Sequence, residues 1–260
     1  DASRPCTLLA VDLGNTTTRL GAFLDEELLG TWDITTPAAL TADEARSHIS
    51  HALAMLGVAA PSEAILASVV PSLTDAWRTA LSRVCEGRVY VVGPGLKSGL
   101  RMRIDGPSEV GADRVADAVA ARDAYGSPVV VVDLGTTTNI EVIDGDGAFA
   151  GGVIAPGVAL GARSLAAAAA RLPVIELRAP ASVIGRNTRA AMQSGVVLGE
   201  VARIDGLLDA VMAELGQEAP VVITGDGASG LAPLLAHAVV VDNTLTLRGL
   251  YRIWAHGAVP

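Results

Sequence analysis

Two stretches place a carboxylate, a glycine and hydroxyls directly after an apolar run: Leu8-Leu-Ala-Val-Asp-Leu-Gly-Asn-Thr-Thr17 and Val129-Val-Val-Val-Asp-Leu-Gly-Thr-Thr-Thr138. Glycine lets the backbone turn tightly and lets a ligand approach closely. The hydroxyls and amides of such a turn donate to phosphate oxygens, and the carboxylate can hold a cation that balances their charge. Aligning the acids pairs Asp12 with Asp133, Gly14 with Gly135, Thr16 with Thr137 and Thr17 with Thr138, an internal echo that points to duplicated architecture. A third apolar run, Val221 to Thr224, enters Gly225-Asp-Gly227. As chemistry these are two phosphate turns and a nucleoside turn; without a ligand they are strand-to-loop punctuation. None matches a Walker A sequence or a Gly-x-Gly-x-x-Gly fingerprint, which disfavours P-loop and Rossmann proteins.

Other chemistry-bearing residues stand in sparser patterns. Gly111-Ala-Asp-Arg114 opens a helix after a polar loop, which puts Asp113 in a first turn whose dipole favours the ionised form. A carboxylate there can take a proton from a hydroxyl while Arg114 steadies an anion, or the two can form an ordinary N-terminal charge and ion pair. Asn187-Thr188 reads first as a helix cap. His48 and His51 lie three apart on a helix with no third ligand nearby, so a solvated face is expected rather than a metal site.

The elements that must position these groups follow from periodicity and punctuation. Strands are expected at 7–12, 19–23 and 28–34 as an antiparallel meander, then at 64–70 and 89–92. Helices are expected at 41–56, where Thr41 and Glu44 form a capping box and Gly57 a stop, and from Pro71 to about Cys85. A turn at Gly93-Pro-Gly95 and a loop over 96–110 precede a helix from Ala112 to Tyr125. The second half repeats the plan with strands at 129–133, 140–143 and near Phe149. Gly151 to Gly157 is expected to break regular structure. Helices are expected at 158–171, 187–198, 200–215, 231–236 and 247–256, with strands at 221–224 and before the last helix. Strand–turn–strand followed by alternating helices and strands, twice over, indicates two α/β domains, 1–117 and 118–260, with the two acidic turns across a cleft.

Composition narrows the classes. The formal charge of −9 argues against a nucleic-acid surface. Half the 260 residues are apolar, enough for a sizeable core, and the Gly151–Ala170 run is too broken by Pro156, glycines and Arg163 to cross a membrane. Cys6 and Cys85 suggest no disulfide framework, and a reducing cytoplasm is expected. Asp1-Ala-Ser-Arg-Pro lacks an initiating Met and a signal-like apolar run, and reads as a trimmed or appended start.

The ordered set Asp12-Leu-Gly-Asn-Thr16, Glu109-Val-Gly-Ala-Asp-Arg114, Asp133-Leu-Gly-Thr136, Gly151-Gly-Val-Ile-Ala-Pro-Gly157, Ile184-Gly-Arg-Asn-Thr188, Ser194-Gly195 and Asp242-Asn-Thr-Leu-Thr-Leu-Arg-Gly249 resembles the type III pantothenate kinases across nearly the whole chain. The resemblance implies the actin-like fold of sugar kinases and Hsp70, with ATP between duplicated ribonuclease H-like domains. It implies transfer of the ATP γ-phosphate to the terminal hydroxyl of pantothenate, the first step of coenzyme A synthesis, in a cytoplasmic homodimer using Mg and a monovalent cation, potassium or ammonium. Asp12, Gly14, Asn15 and Thr16 would then form the first phosphate turn, Asp12 holding Mg through water, with Arg19 where the family usually has lysine. Asp133, Gly135, Thr136 and Thr137 would form the second, with Asp133 a monovalent-cation ligand. Thr224 and Gly225 would belong to the nucleoside turn. Asp113 would be the general base, Ile104, Gly111 and Arg114 would line the acceptor site, and Thr188 of a partner subunit would touch the acceptor.

Three departures from the family pattern stand out. Gly135-Thr-Thr-Thr-Asn139 replaces a turn that usually ends in aspartate, Ile104 stands where many members have a tyrosine, and Asp226 replaces a glycine whose site faces the nucleoside. They keep two rivals open: a kinase of the same fold with another hydroxyl acceptor, such as a nucleoside or hydroxy acid, and a catalytically silent relative.

Overall fold

The computed structural model describes residues 3–93, 96–169 and 172–257. The expected turn at Pro94-Gly95, the residues Asp1-Ala2 and the expected helix end at Ala170-Arg171 lie outside the described residues. The chain forms two compact units. One runs to Asp123 and resumes at Thr244; the other spans Ala124–Asn243.

The first unit is built on β1 (Leu8–Leu13), an apolar strand between an antiparallel neighbour, β2 (Thr17–Leu24), and a parallel one, β4 (Glu63–Ser68). With β3 (Glu27–Thr35) and β5 (Val89–Val91) the sheet order is β3-β2-β1-β4-β5. Both faces of β1 are covered, which is why it lacks apolar–polar alternation. Leu9, Val11 and Leu13 join a core with Ile49 of α1 (Ala42–Leu56) and Trp77 of α2 (Pro71–Val84). Thr41 and Glu44 make the expected capping box, and Gly57 closes α1 in the left-handed conformation.

Helix α3 (Ala112–Tyr125) follows a two-residue strand, β6 (Arg101–Met102), and a 3-10 turn at Pro107–Glu109.

The second unit repeats the pattern. β7 (Val129–Leu134), whose four valines are fully buried, lies between antiparallel β8 (Thr137–Ile143) and parallel β10 (Val221–Thr224). β9 (Ala148–Pro156) pairs with β8, and β11 (Val239–Val241) with β10. Thus β9-β8-β7-β10-β11 reproduces β3-β2-β1-β4-β5. Val130 and Val132 pack against Ile204, Leu208 and Met212 of α6 (Gly199–Leu215).

Several expectations change. Gly151–Pro156 does not break structure but completes β9, because β8 offers a full antiparallel edge and Pro156 falls on the final residue. Helix α4 covers Val158–Ala168. The helices expected at 187–198 and 200–215 form one uninterrupted run: α5 (Thr188–Gln193), a π-helical turn at Ser194–Leu198, then α6. The helix expected at 231–236 starts earlier, as α7 (Ala228–Leu231), and ends in a 3-10 turn at Ala232–Leu234. The division into units differs from 1–117 and 118–260 in two places. All but the last two residues of α3 stay with the first unit, and so does the closing helix α8 (Leu245–Gly257), which packs on β1, β2 and β4.

Candidate functional site

The first acidic turn leaves β1 beside the end of β4, where the Val69 amide donates to the Leu13 carbonyl. Ends of parallel strands are where α/β sheets place ligands. Gly14 N donates to Thr17 O at 3.1 Å, closing a four-residue turn of Gly14, Asn15, Thr16 and Thr17. Thr36 braces it from the end of β3: its amide donates to Thr16 O at 2.9 Å and its hydroxyl to Gly14 O at 2.8 Å. Strand register puts Asp12 opposite Arg19 and Arg19 opposite Asp33, so the three side chains share one face.

The second turn is one residue shorter. Leu13 faces Thr18 but Leu134 faces Thr138, and Gly135 N donates to Thr137 O at 3.0 Å. The echo expected from an ungapped alignment therefore holds through the glycine and then slips by one. Thr138 is the counterpart of Thr18, not of Thr17, and Asn139 is the counterpart of Arg19. Both counterpart threonines are buried. The row equivalent to Asp12, Arg19 and Asp33 is Asp133, Asn139 and Ile154, with no cationic side chain in it.

The third turn lies against the second. Thr224 pairs with Asp133 in parallel register, and Gly225 follows at φ +91°, a region L side chains rarely adopt. A Cβ there would lie 2.7 Å from Asp133 Oδ1 and 2.5 Å from Leu134 O, so glycine is required twice over. Asp133, Thr136, Thr137, Thr224 and Gly225 are thus brought together. Asp226 is exposed beside them.

Asp113 stands in the first turn of α3, in the same unit as Asp12. The Arg114 amide donates to Asp113 Oδ1 at 2.8 Å. A side chain on Gly111 would meet that oxygen at 2.5 Å and Val69 Cγ1, just past the end of β4, at 3.4 Å. Gly111 therefore leaves room for the carboxylate one strand over from the first acidic turn. Burial pushes the Asp113 carboxyl above its ordinary range, partly offset by the Arg114 amide and guanidinium. This corrects the expectation that a first-turn position favours the ionised form: desolvation outweighs the amides and the guanidinium that favour it.

Ile104 is half-buried in the bend before the 3-10 turn. Thr188 is exposed in the second unit, at the first position of α5, and Asn187 caps that helix by accepting from Ala190 N at 2.9 Å. His51 packs edge-on to Trp32, and among the described residues no three His, Cys, Asp or Glu side chains form a metal cluster. No helix among the described residues is long and apolar enough to cross a membrane.

Sequence reasoning missed the brace on the second turn. Thr138 Oγ1 donates to Glu200 Oε1 at 2.6 Å, Glu200 Oε2 pairs with Arg203, and Arg203 donates to Pro156 O at 2.6 Å. The available signal was a Glu–Arg pair three apart, indistinguishable in sequence from a surface helix pair.

The sequence profile of the family described as type III pantothenate kinase matches residues 8–210. The chain belongs to that family. A type III pantothenate kinase of Dehalococcoides mccartyi is 41% identical over 249 residues, covering 95% of each chain. One of Thermomicrobium roseum is 40% identical over 245 residues, covering 94% of this chain and 95% of the relative. Among solved structures, a conserved putative Baf family transcriptional activator from Campylobacter jejuni superposes with TM-score 0.62 at 18% identity, covering 96% of this chain and 98% of that one. The activator of the 2-hydroxyisocaproyl-CoA dehydratase from Clostridium difficile, with bound ADPNP, gives TM-score 0.54 at 12% identity, covering 96% and 93%. A ROK family glucokinase from Streptomyces griseus, in complex with glucose and AMPPNP, gives 0.51 at 14% identity, covering 98% and 100%. The fold is the actin-like ATPase fold that the family resemblance implied.

Proposed function

We propose that the chain transfers the γ-phosphoryl group of ATP to the terminal hydroxyl of pantothenate, giving 4'-phosphopantothenate for coenzyme A synthesis. The observation that carries this reading is full-length similarity, at 40–41% identity, to type III pantothenate kinases. The geometry supports it through Asp113, a carboxylate of raised pKa near the turn that starts at Asp12.

In this reading the acceptor oxygen bonds to the γ-phosphorus, the bond from that phosphorus to the β–γ bridging oxygen breaks, and ADP leaves. Asp113 takes the hydroxyl proton, a task suited by a pKa raised towards the working pH. Arg114 faces the acceptor's carboxylate, and Gly111 and Ile104 shape its pocket. Gly14, Asn15, Thr16, Thr136 and Thr137 donate to phosphate oxygens, Arg19 adds fixed positive charge, and Thr224 and Gly225 border the nucleoside. Phosphoryl transfer leaves the protein chiefly positioning and charge neutralisation to perform.

Oxygen donors suit both implied cations. Asp133 fits a monovalent cation: its register neighbours Asn139 and Thr224 are neutral, and the backbone of Gly225 lies against its Oδ1 with no side chain between. Asp12 would hold Mg through water, and the metal would neutralise phosphate charge. A second copy of the chain is the proposed partner, supported by exposed apolar residues between Val174, 85% exposed, and Ile184, 80% exposed, just before Thr188. A cytoplasmic setting completes the reading.

The test is ATP consumption with pantothenate, Mg and potassium, with product identified by mass. Phosphopantothenate made by the intact protein and not by Asp113→Asn supports the assignment. ATP binding without that product would transfer it to another hydroxyl acceptor, and absence of ATP binding would leave a silent relative.

A further inference from the structure

The first and second phosphate turns are braced by different chemistry. In the first, Thr18 Oγ1 meets Thr36 Oγ1 at 2.8 Å and Thr36 bonds back to Gly14, a neutral brace from neighbouring strands. In the second, the counterpart hydroxyl of Thr138, 2% exposed, donates to Glu200, 5% exposed. Glu200 pairs with Arg203, Arg203 donates to Pro156 O, and the next amide, Gly157 N, donates to Thr136 O at 3.1 Å. The chain of contacts starts and ends in the turn.

Glu200 is buried while the Arg203 side chain is 33% exposed, and taking the carboxylate out of water offsets much of what the pairing returns, so the pair is a poor means of adding stability. The first turn has the matching amide bond, Thr36 N to Thr16 O at 2.9 Å, and beside it only the Thr18 and Thr36 hydroxyls, with no charged side chain in the brace. We infer that Glu200, oriented by Arg203, is a positioning residue that sets the second phosphate turn for nucleotide binding. It ties the turn to the same helical run whose first residue is Thr188. A π-helical turn at Ser194–Leu198, a feature often found at functional sites, lies between Thr188 and Glu200. Glu200 touches no substrate in this scheme; it acts through Thr138. The inference rests on reading Gly135 to Thr138 as a phosphate turn.

The experiment compares the full-length protein with Thr138→Val, Glu200→Ala and Glu200→Gln. It measures binding of a non-hydrolysable ATP analogue by calorimetry, steady-state kinetics and melting temperature. Loss of a hydrogen bond to a charged group predicts nucleotide affinity about 10-fold weaker in Thr138→Val and Glu200→Ala, with a matching rise in KM for ATP. The acceptor KM should hardly move, and Glu200→Gln, which keeps an oxygen for the Thr138 hydroxyl, should recover most of the loss. Unchanged nucleotide affinity in Thr138→Val, with only a lower melting temperature, would overturn the inference. If the intact protein binds the analogue but leaves pantothenate unmodified, the acceptor assignment fails while the affinity comparison still decides the role of Glu200. No analogue binding by the intact protein would overturn both.

Discussion

Arg19 on β2 grips Asp33 on β3 through two parallel bonds, Nε to Oδ1 at 2.8 Å and Nη2 to Oδ2 at 2.7 Å. Only a guanidinium can make this fork; a lysine at the same position would present one mobile ammonium. The pair fixes a guanidinium beside Asp12 in strand register, next to the first acidic turn. Arg19→Ala should raise KM for ATP about 10-fold or more, the scale of a lost charged hydrogen bond. Asp33→Asn should raise it less, since the arginine remains but is held more loosely. The side chains are 22% and 45% exposed, so neither change should cost more than about 1 kcal/mol of stability. Equal KM values in all three proteins would remove Arg19 from the nucleotide site.

Asp113→Asn should lower kcat by about 10²- to 10⁴-fold, the contribution of a positioned general base, with nucleotide affinity unchanged. Because burial raises the Asp113 pKa, the acid limb of kcat/KM should fall at a pH above the ordinary carboxylate range. The stability effect has the opposite sense from a salt-bridged acid. A carboxyl whose folded pKa exceeds its unfolded value stabilises fully below the unfolded value. That contribution is lost as pH rises through the folded value. Ionised Asp113 is therefore a cost at neutral pH, and Asp113→Asn should melt no lower, and on balance higher, than the intact protein there. A clear drop in melting temperature at neutral pH would show that the carboxylate is a structural anchor.

What was legible in the sequence was local. The capping box of Thr41 and Glu44, the glycine stop at Gly57 and the buried valines 129–132 each depend on near neighbours, and each is found as read. What escaped depended on partners far along the chain. Gly151, Gly152 and Pro156 look like breakers until β8 supplies Val142, Glu141 and Thr137 opposite them. Glu200 and Arg203 look like a solvated helix pair until Thr138, 62 positions away, is seen beneath them. The slip between the two acidic turns was visible in principle: the threonine triplets 16–18 and 136–138 align once Asn15 is treated as an insertion. For Asp113 position was legible but not depth, and depth decides the direction of the pKa shift.

Gly249 belongs to the C-terminal motif that contributes to the family resemblance, and its place in α8 explains it by packing. A Cβ there would overlap the carbonyl group of Ala116 on α3. Close approach of α8 to α3 braces the helix that carries Asp113. Gly249→Ala should cost about 1–3 kcal/mol, as overpacking does. It should also lower kcat more than it raises KM for ATP, because α3 must shift. Melting curves and steady-state kinetics on the one variant read both effects, and an unchanged melting temperature would mean that the helices separate freely.

Cys85 and Cys6 test the first core directly. Both are free and buried among residues of β1, α1 and α2. Burial, with added repulsion from Cys6 and Glu63, pushes the Cys85 thiol up to about 12, and burial raises Cys6 as well. At pH 8 the reactive thiolate of Cys85 is then only about one part in 10,000, and little of the residue reaches solvent. A thiol reagent at pH 8 should label the native protein at neither position on the timescale that labels both in urea. The slow native reaction should follow opening of the first unit and respond to any substitution that destabilises it, such as Trp77→Ala. Rapid labelling of Cys85 in native buffer would overturn the packing in the first core that leaves the residue only 9% exposed.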